Sequence, residues 1–178
     1  MARIGNKVIL NKDIAPDNIK NLILDIDNCV LDSTEWEKYI PADDTREGWD
    51  NYHNHYYLVR ENLDMKSFIY ELCCRGLKNI YFITAREDIN NMRKITEEQI
   101  ESVFGSLRQW HKVNKYLYMR NTCDYSPTVE VKQNILYTHI FPHIFIDLAI
   151  DDDIRNVEMY RANGIEAIHY TRYSTFNN

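Results

Sequence analysis

Asn21-Leu22-Ile23-Leu24-Asp25-Ile26-Asp27-Asn28-Cys29-Val30 is an apolar stretch that ends in two carboxylates, and the rest of the chain can be understood from it. A short apolar run that closes on a turn is typical of a strand buried on both faces. Carboxylates at its end would lie at the C-terminal edge of a parallel sheet, where open α/β sheets bind ligands. Asp25 and Asp27 can converge there, and they would repel each other unless a cation lay between them.

Helical patterns alternate with further apolar runs along the chain. The predicted strands after the first are residues 80–83, 116–119, 144–150 and 165–168, and the predicted helices begin near residues 65, 89, 128 and 157. Strands that alternate with helices predict right-handed crossovers and a mostly parallel sheet. We therefore predict a single domain over residues 1–178 with an α/β fold, a doubly wound and mostly parallel sheet of five strands.

Residues 32–61 lack clean periodicity and are rich in charge and aromatic rings. They follow the first strand directly, so we predict a small helical cap inserted over the two carboxylates. Its aromatic rings are expected to pack the insertion rather than to form a base-stacking platform. His53 and His55 are two residues apart, which is a weak signal for a metal site, and we expect surface or packing roles for them.

Composition narrows the class of protein. With 178 residues, 44% hydrophobic and 27% charged, the chain has the make-up of a soluble globular domain. Its formal net charge of −6 argues against stable binding to a long duplex, but not against binding a short nucleic-acid end or a nucleotide. No stretch is long and apolar enough for a membrane span, and the four cysteines show no CxxC pair, so we predict a cytoplasmic protein with no membrane partner.

Polar residues follow the predicted strands closely. They are Asp25 and Asp27 after the first strand, Thr84 and Arg86 after the second, Arg120 and then Lys132 after the third, and Asp151 and Asp152 after the fourth. The C-terminal ends of parallel strands share one edge, so these side chains would face a common crevice. Clustered carboxylates suit Mg²⁺ together with a substrate phosphate, and the cations and hydroxyl suit the phosphate oxygens. A carboxylate can also attack a phosphoryl group and form an aspartyl-phosphate.

This set resembles the four motifs of the haloacid dehalogenase (HAD) superfamily of phosphatases, namely a DxD after one strand, Thr84 after another, Lys132 at a helix start and an Asp-Asp pair after a further strand. Within that superfamily the chain is most similar to the 3′-phosphatase domain of bacteriophage polynucleotide kinase. That similarity rests on Thr84-Ala85-Arg86-Glu87, on Arg120 twelve residues before Lys132, and on Leu148-Ala149-Ile150-Asp151-Asp152 with Val157-Glu158-Met159. No GxxxxGK[ST] loop occurs in the sequence, so no kinase half is expected.

The resemblance implies a role for each matching residue. Asp25 would be the nucleophile, and Asp27 would protonate the leaving oxygen and then activate water. The phosphoryl oxygens would be held by Thr84 and Lys132, and Arg86 and Arg120 would contact the substrate phosphate or the leaving group. Mg²⁺ would be bound by Asp25, the main-chain carbonyl of Asp27 and Asp151, with Asp152 supporting these ligands. The implied substrate is a 3′-phosphate on a nucleotide or a nucleic-acid end.

Two positions depart from the family pattern, which usually has Gly and Thr after the DxD. Asn28 replaces the glycine, and asparagine tolerates the left-handed conformations that glycine serves. Cys29 replaces the threonine with a weaker hydrogen-bonding group, from which we expect a looser placement of Asp27.

Alternatives to these functional readings remain open. The substrate could be a free nucleoside monophosphate or another small phosphoester, or the chain could be a catalytically weak HAD-like binding module. Asp151, Asp152 and Asp153 could instead cap the following helix, a role that we expect of Asp153 alone. An EF-hand is excluded, because Val30 and Trp36 stand where its loop requires Gly and Glu. The sequence gives no oligomeric state.

Overall fold

The first strand lies at the centre of a parallel sheet. A computed structural model describes residues 18–43, 45–141 and 143–171. Its strands are β1 (Asn21–Leu24), β2 (Leu31–Asp32), β3 (Arg60–Glu61), β4 (Asn79–Glu87), β5 (Asn114–Arg120), β6 (Leu148–Asp151) and β7 (Ala167–His169). Five of them form one parallel sheet in the order β5-β4-β1-β6-β7, while β2 and β3 pair as an antiparallel hairpin. The predicted five-stranded α/β sheet is confirmed.

Helices cover both faces of this sheet. They are α1 (Thr34–Glu37), α2 (Arg46–Asn54), α3 (Leu63–Cys74), α4 (Met92–Phe104), α5 (Thr128–Ile135) and α6 (Ile154–Ala162), with short 3₁₀ turns at Tyr56–Leu58 and Trp110–Lys112 and a π-helical turn at Leu136–Ile140. Leu22 and Leu24 point into a core shared with α3 and α4, whereas Ile23 points into a core shared with α5 and α6. All three side chains are fully buried, which explains the unbroken apolar pattern of β1.

Two strand boundaries differ from the sequence prediction by four residues. The strand predicted over residues 144–150 begins only at Leu148. The chain bends at Asp147, whose carboxylate accepts the main-chain N–H groups of Lys20 and Asn21 (2.9 and 2.8 Å). The strand predicted over residues 80–83 continues to Glu87, with a shift of register against β5 after Ile83. Thr84 and Arg86 therefore lie within this irregular part of β4 rather than in a loop beyond it.

The segment between β2 and β3, residues 33–59, is called the insertion below. Its two ends meet in the hairpin, where Leu31 pairs with Glu61. Trp36 is buried; its ring stacks on Tyr52 with centroids 4.5 Å apart and donates a hydrogen bond to the Tyr52 carbonyl (2.6 Å). The His55 ring stacks on Tyr39 at 3.7 Å, in agreement with a packing role.

None of the helices formed by the described residues is long and apolar enough to cross a membrane.

Candidate active site

A tight turn after β1 sets the two carboxylates of the DxD at the sheet edge. The N–H groups of Cys29 and Leu31 both donate to the Ile26 carbonyl, at 3.3 and 2.9 Å. Within this turn, just before Cys29, Asn28 has a φ of +55°, in the left-handed region that asparagine adopts more readily than most residues. Asn28 therefore serves the turn where the family pattern has glycine.

Lys132 lies between two buried carboxylates. Its Nζ donates to Asp25 Oδ1 at 2.6 Å and to Asp151 Oδ2 at 2.7 Å, and the lysine is 2% exposed. Burial alone would lower the pKa of Lys132, but the charges of Asp25 and Asp151 outweigh burial and raise the pKa well above its ordinary value. The lysine is therefore a fixed positive charge against Asp25.

Asp151 uses both carboxylate oxygens for protein partners. Oδ2 accepts the Lys132 hydrogen bond, and Oδ1 accepts from the Asn156 side-chain amide (2.9 Å) and from the main-chain N–H of Asp153 (3.1 Å). The Asp151 side chain is only 1% exposed. Asp153 caps α6 by accepting the N–H of Arg155, as the sequence led us to expect. Asp151 thus holds the lysine and the start of α6 together.

A possible cation site is formed by Asp25, Asp152 and Cys29. One carboxylate oxygen from each aspartate and the Cys29 sulfur all lie within 4.8 Å of one another. Burial and the charges of Asp151 and Asp152 raise the pKa of Asp25 well above its ordinary value, although Lys132 opposes the shift. Burial, followed by the charge of Asp151, likewise raises the pKa of Asp152. A buried and a half-buried carboxylate at this distance fit a bound cation with oxygen ligands.

Asp151 and Asp152, which the resemblance places at the cation together, have different neighbours in the structure. The expectation gave Asp151 to the cation and a supporting role to Asp152, whereas the structure places Asp152 beside Asp25 and Asp151 against Lys132. Side chains alternate in direction along a strand, so the last residue of β6 and the residue after it face different neighbours.

Asp27 is held by an arginine fork. Arg86 Nε donates to Asp27 Oδ2 at 2.8 Å and Arg86 Nη2 donates to Oδ1 at 2.7 Å, while the Ser33 hydroxyl also donates to Oδ1 at 2.5 Å. Burial would raise the pKa of Asp27, but Arg86 and then Ser33 outweigh it and the pKa is lowered. The expected looser placement of Asp27 beside Cys29 is therefore offset by a hydroxyl from the insertion.

Arg86 joins the insertion to the body of the domain. Its Nη1 donates to Thr96 Oγ1 (3.1 Å) and to Gln99 Oε1 (2.6 Å) on α4, and its guanidinium lies 4.7 Å from the centre of the Trp36 ring. Gln99 in turn donates to the Tyr56 carbonyl of the insertion (3.0 Å). Every guanidinium nitrogen of Arg86 thus has a protein partner, and its side chain is 3% exposed.

The remaining predicted residues lie next to this fork. Thr84 is buried, and its hydroxyl accepts the main-chain N–H of Arg86 at 3.1 Å. Arg120 donates to the carbonyls of Ala85 (2.9 Å), Asp124 (2.8 Å) and Ser126 (2.6 Å), so it fastens the loop after β5 to the end of β4. In this structure Arg86 and Arg120 therefore hold protein groups at the positions where substrate contacts were expected.

Several residues of the site were not singled out from the sequence. They are Ser33, Thr96, Gln99 and Asn156. Ser33 directly precedes α1 and has the sequence context of a helix cap. Its hydroxyl donates to the Asp27 carboxylate instead and makes no cap hydrogen bond. Thr96 and Gln99 are three residues apart on α4, so they share one helix face. That spacing was visible in the sequence, but nothing in the sequence identified Arg86 as their partner.

The parallel sheet, the DxD turn at the end of β1 and the lysine between two carboxylates define a phosphatase of the HAD type. Comparison with known proteins assigns the family: residues 19–173 match the phosphatase domain of the polynucleotide kinase PNKP, and the chain belongs to that family. A search of curated proteins finds no match.

Solved structures share the fold. A chain in the structure of the Pnkp1/Rnl/Hen1 RNA repair complex superposes with a TM-score of 0.58 at 16% sequence identity, covering 89% of this chain and 44% of that one. The haloacid dehalogenase-like hydrolase SP0104 from Streptococcus pneumoniae superposes with a TM-score of 0.50 at 15% identity, covering 84% and 83%. The present chain spans less than half the length of the RNA repair chain that it matches.

Proposed function

We propose that this phosphatase removes a 3′-phosphate from a nucleotide or a nucleic-acid end through an aspartyl-phosphate on Asp25, with Mg²⁺ as its cofactor. The observation that carries the proposal is the position of Lys132, whose Nζ contacts Asp25 Oδ1 at 2.6 Å beside the forked Asp27. A lysine in this position offsets the negative charge of Asp25 and of a phosphoryl group that approaches Asp25. The family assignment supports a polynucleotide as the substrate.

In the first step an oxygen of Asp25 attacks phosphorus, and the bond between phosphorus and the leaving 3′ oxygen breaks. Asp27 gives a proton to that oxygen, so the alcohol leaves neutral. Because Arg86 and Ser33 lower the pKa of Asp27, its carboxylate first takes up this proton from the monoanion of the bound phosphate monoester. Lys132 donates hydrogen bonds to Asp25 and, in this proposal, to the transferred phosphoryl oxygens together with the Thr84 hydroxyl. The products of this step are phospho-Asp25 and a free 3′ hydroxyl.

In the second step water attacks phosphorus, Asp27 accepts a proton from that water, and inorganic phosphate leaves Asp25. The Arg86 fork and the Ser33 hydroxyl favour the carboxylate form of Asp27, which is the form that this step requires. Arg86 is therefore proposed as a positioning residue for Asp27.

The residues present fit Mg²⁺, since carboxylate oxygens are its usual protein ligands. Asp25 and Asp152 would hold the ion with the main-chain carbonyl of Asp27. When bound, Mg²⁺ supplies positive charge that offsets the negative charge of the phosphate and of the two aspartates.

The test compares phosphate release from a 3′-phosphorylated oligonucleotide, a 3′-nucleoside monophosphate and a 5′-nucleoside monophosphate, each with Mg²⁺ and with EDTA. Asp25→Asn keeps the shape of the nucleophile but not its charge, and serves as the blank. Release from the two 3′-phosphates, abolished by EDTA, is the expected result. Preference for the 5′-monophosphate would overturn the 3′ assignment, and no release above the Asp25→Asn blank would overturn the reaction.

A further inference from the structure

We infer that Cys29 makes the cation site selective, so that Zn²⁺ competes with Mg²⁺ there by taking the Cys29 sulfur together with Asp25 and Asp152. The inference rests on the proposed function for the place of the cation, and it adds an inhibitory metal to that site. The family pattern usually has threonine at this position, where this chain has a cysteine sulfur.

Three possible ligand atoms lie close together at this site. The Cys29 sulfur and one oxygen from each aspartate lie within 4.8 Å of one another, and Cys29 is fully buried. In a tetrahedral zinc site, ligand distances of about 2.0 to 2.3 Å put neighbouring donor atoms roughly 3.5 Å apart. Small side-chain rotations therefore bring the three donor atoms onto one ion, with the fourth position open.

The main chain of Cys29 is anchored on both sides, so the sulfur stays at the site. Its N–H donates to the Ile26 carbonyl at 3.3 Å, and its carbonyl accepts from the Asn62 side-chain amide at 2.7 Å. Asn62 also donates to the Tyr170 hydroxyl at 2.9 Å, and its own side-chain oxygen accepts the Met65 N–H at the start of α3. The thiol is thus presented by a fixed backbone rather than by a free loop.

The ligand chemistry separates the two cations. Mg²⁺ prefers oxygen donors and gains little from sulfur, whereas Zn²⁺ binds both thiolate sulfur and carboxylate oxygen. When the zinc–sulfur bond forms, the thiol proton leaves to solvent, so no oxidant or reductant is needed. Zn²⁺ bound in this way occupies Asp25, and we therefore expect it to inhibit the phosphatase.

Cd²⁺ is the probe, because a cadmium–thiolate bond has an ultraviolet charge-transfer band that requires no substrate and no turnover. The titration uses the full chain with Cys74→Ser and Cys123→Ser, which removes the two exposed thiols. We expect one Cd²⁺ per chain to give the band and Zn²⁺ to displace it. Cys29→Thr should abolish the band and weaken Zn²⁺ binding at least about tenfold, with little change in Mg²⁺ binding.

Matched variants separate this site from the other buried thiol. Cys73→Ser should leave the band intact, and Asp152→Asn should weaken Cd²⁺ binding because it removes a carboxylate ligand. Cys29→Ser is the second variant if Cys29→Thr does not fold. A band that survives replacement of Cys29, or that disappears with Cys73→Ser, would overturn the inference. The readout is independent of hydrolysis, so a missing band with active enzyme refutes only the zinc site, and a band without hydrolysis refutes only the proposed reaction.

Discussion

Replacing Arg86 with glutamine should destabilise the protein most strongly near neutral pH. Arg86→Gln removes two charge-assisted hydrogen bonds to Asp27, at 2.8 and 2.7 Å, and leaves a largely buried carboxylate without its counter-charge. The loss of one partner from a buried ion pair typically costs 3–5 kcal/mol, and because the Asp27 side chain is 27% exposed we expect the lower end, about 3 kcal/mol. Urea unfolding followed by circular dichroism measures this free energy.

The pH dependence has a definite sign. Arg86 holds the pKa of Asp27 in the folded protein below its unfolded value, so the pair stabilises the fold fully above the unfolded pKa. That stabilisation is lost as the pH falls through the folded pKa, because Asp27 then becomes protonated in both states. The destabilisation caused by Arg86→Gln should therefore shrink from neutral pH toward the lowest pH at which the unmodified protein stays folded.

The control is Arg75→Gln, which disrupts a partly exposed pair with Glu71 on α3 and should cost less than about 1 kcal/mol. Two results would refute the reasoning about Arg86. One is a cost at neutral pH no larger than that of Arg75→Gln. The other is a cost that stays constant into acid, since the contacts of Arg86 with Thr96, Gln99 and Trp36 do not titrate and would then account for all of it.

Three further predictions concern the turn after β1, the neighbouring Asp151 and Asp152, and the insertion. Asn28→Gly should be more stable than Asn28→Ala by about 1 kcal/mol in urea unfolding, because both lose the same side-chain contacts but only alanine is strained at a φ of +55°; equal stabilities would contradict this. Asp152→Asn should weaken Mg²⁺ binding at least about tenfold in calorimetry. Asp151→Asn should mainly lower the thermal unfolding temperature, because Lys132 loses a hydrogen-bond partner. The reverse pattern would show that Asp151 binds the cation and that Asp152 stabilises the fold. Trp36→Ala should cost about 3–5 kcal/mol in urea unfolding because the ring is buried; a loss no greater than that for Trp49→Ala, whose ring is more exposed, would show that Trp36 is dispensable.

The sheet could be predicted from the sequence because a strand that is buried on both faces has a recognisable apolar pattern. Leu22, Ile23 and Leu24 belong alternately to two cores, and such a strand must be apolar at every position. Because the strands are parallel, their C-terminal ends lie at one edge of the sheet, so Asp25 and Asp151 could be expected at that edge. The meeting of both with Lys132 agrees with that expectation.

The partners of individual side chains could not be predicted in the same way. Arg86 reaches Asp27 from the irregular end of β4, where the register against β5 shifts, and no sequence pattern gives the size of such a shift. The contacts of Arg120 depend on three main-chain carbonyls, which every residue type carries. Asp151 and Asp152 are chemically identical neighbours, so only the course of the backbone decides which of them meets Asp25.

The distance along the chain between Asp25 and its partner has a consequence for how the protein is made. Asp25 leaves the ribosome before Lys132, which follows 107 residues later, and β6, which flanks β1, is later still. Until then β1 has an open edge and the two DxD carboxylates have no lysine beside them. Contacts between such distant segments form slowly. We therefore expect the nascent chain to gain its central strand and its charge-neutralised site in one late event, and to be most prone to aggregation just before it.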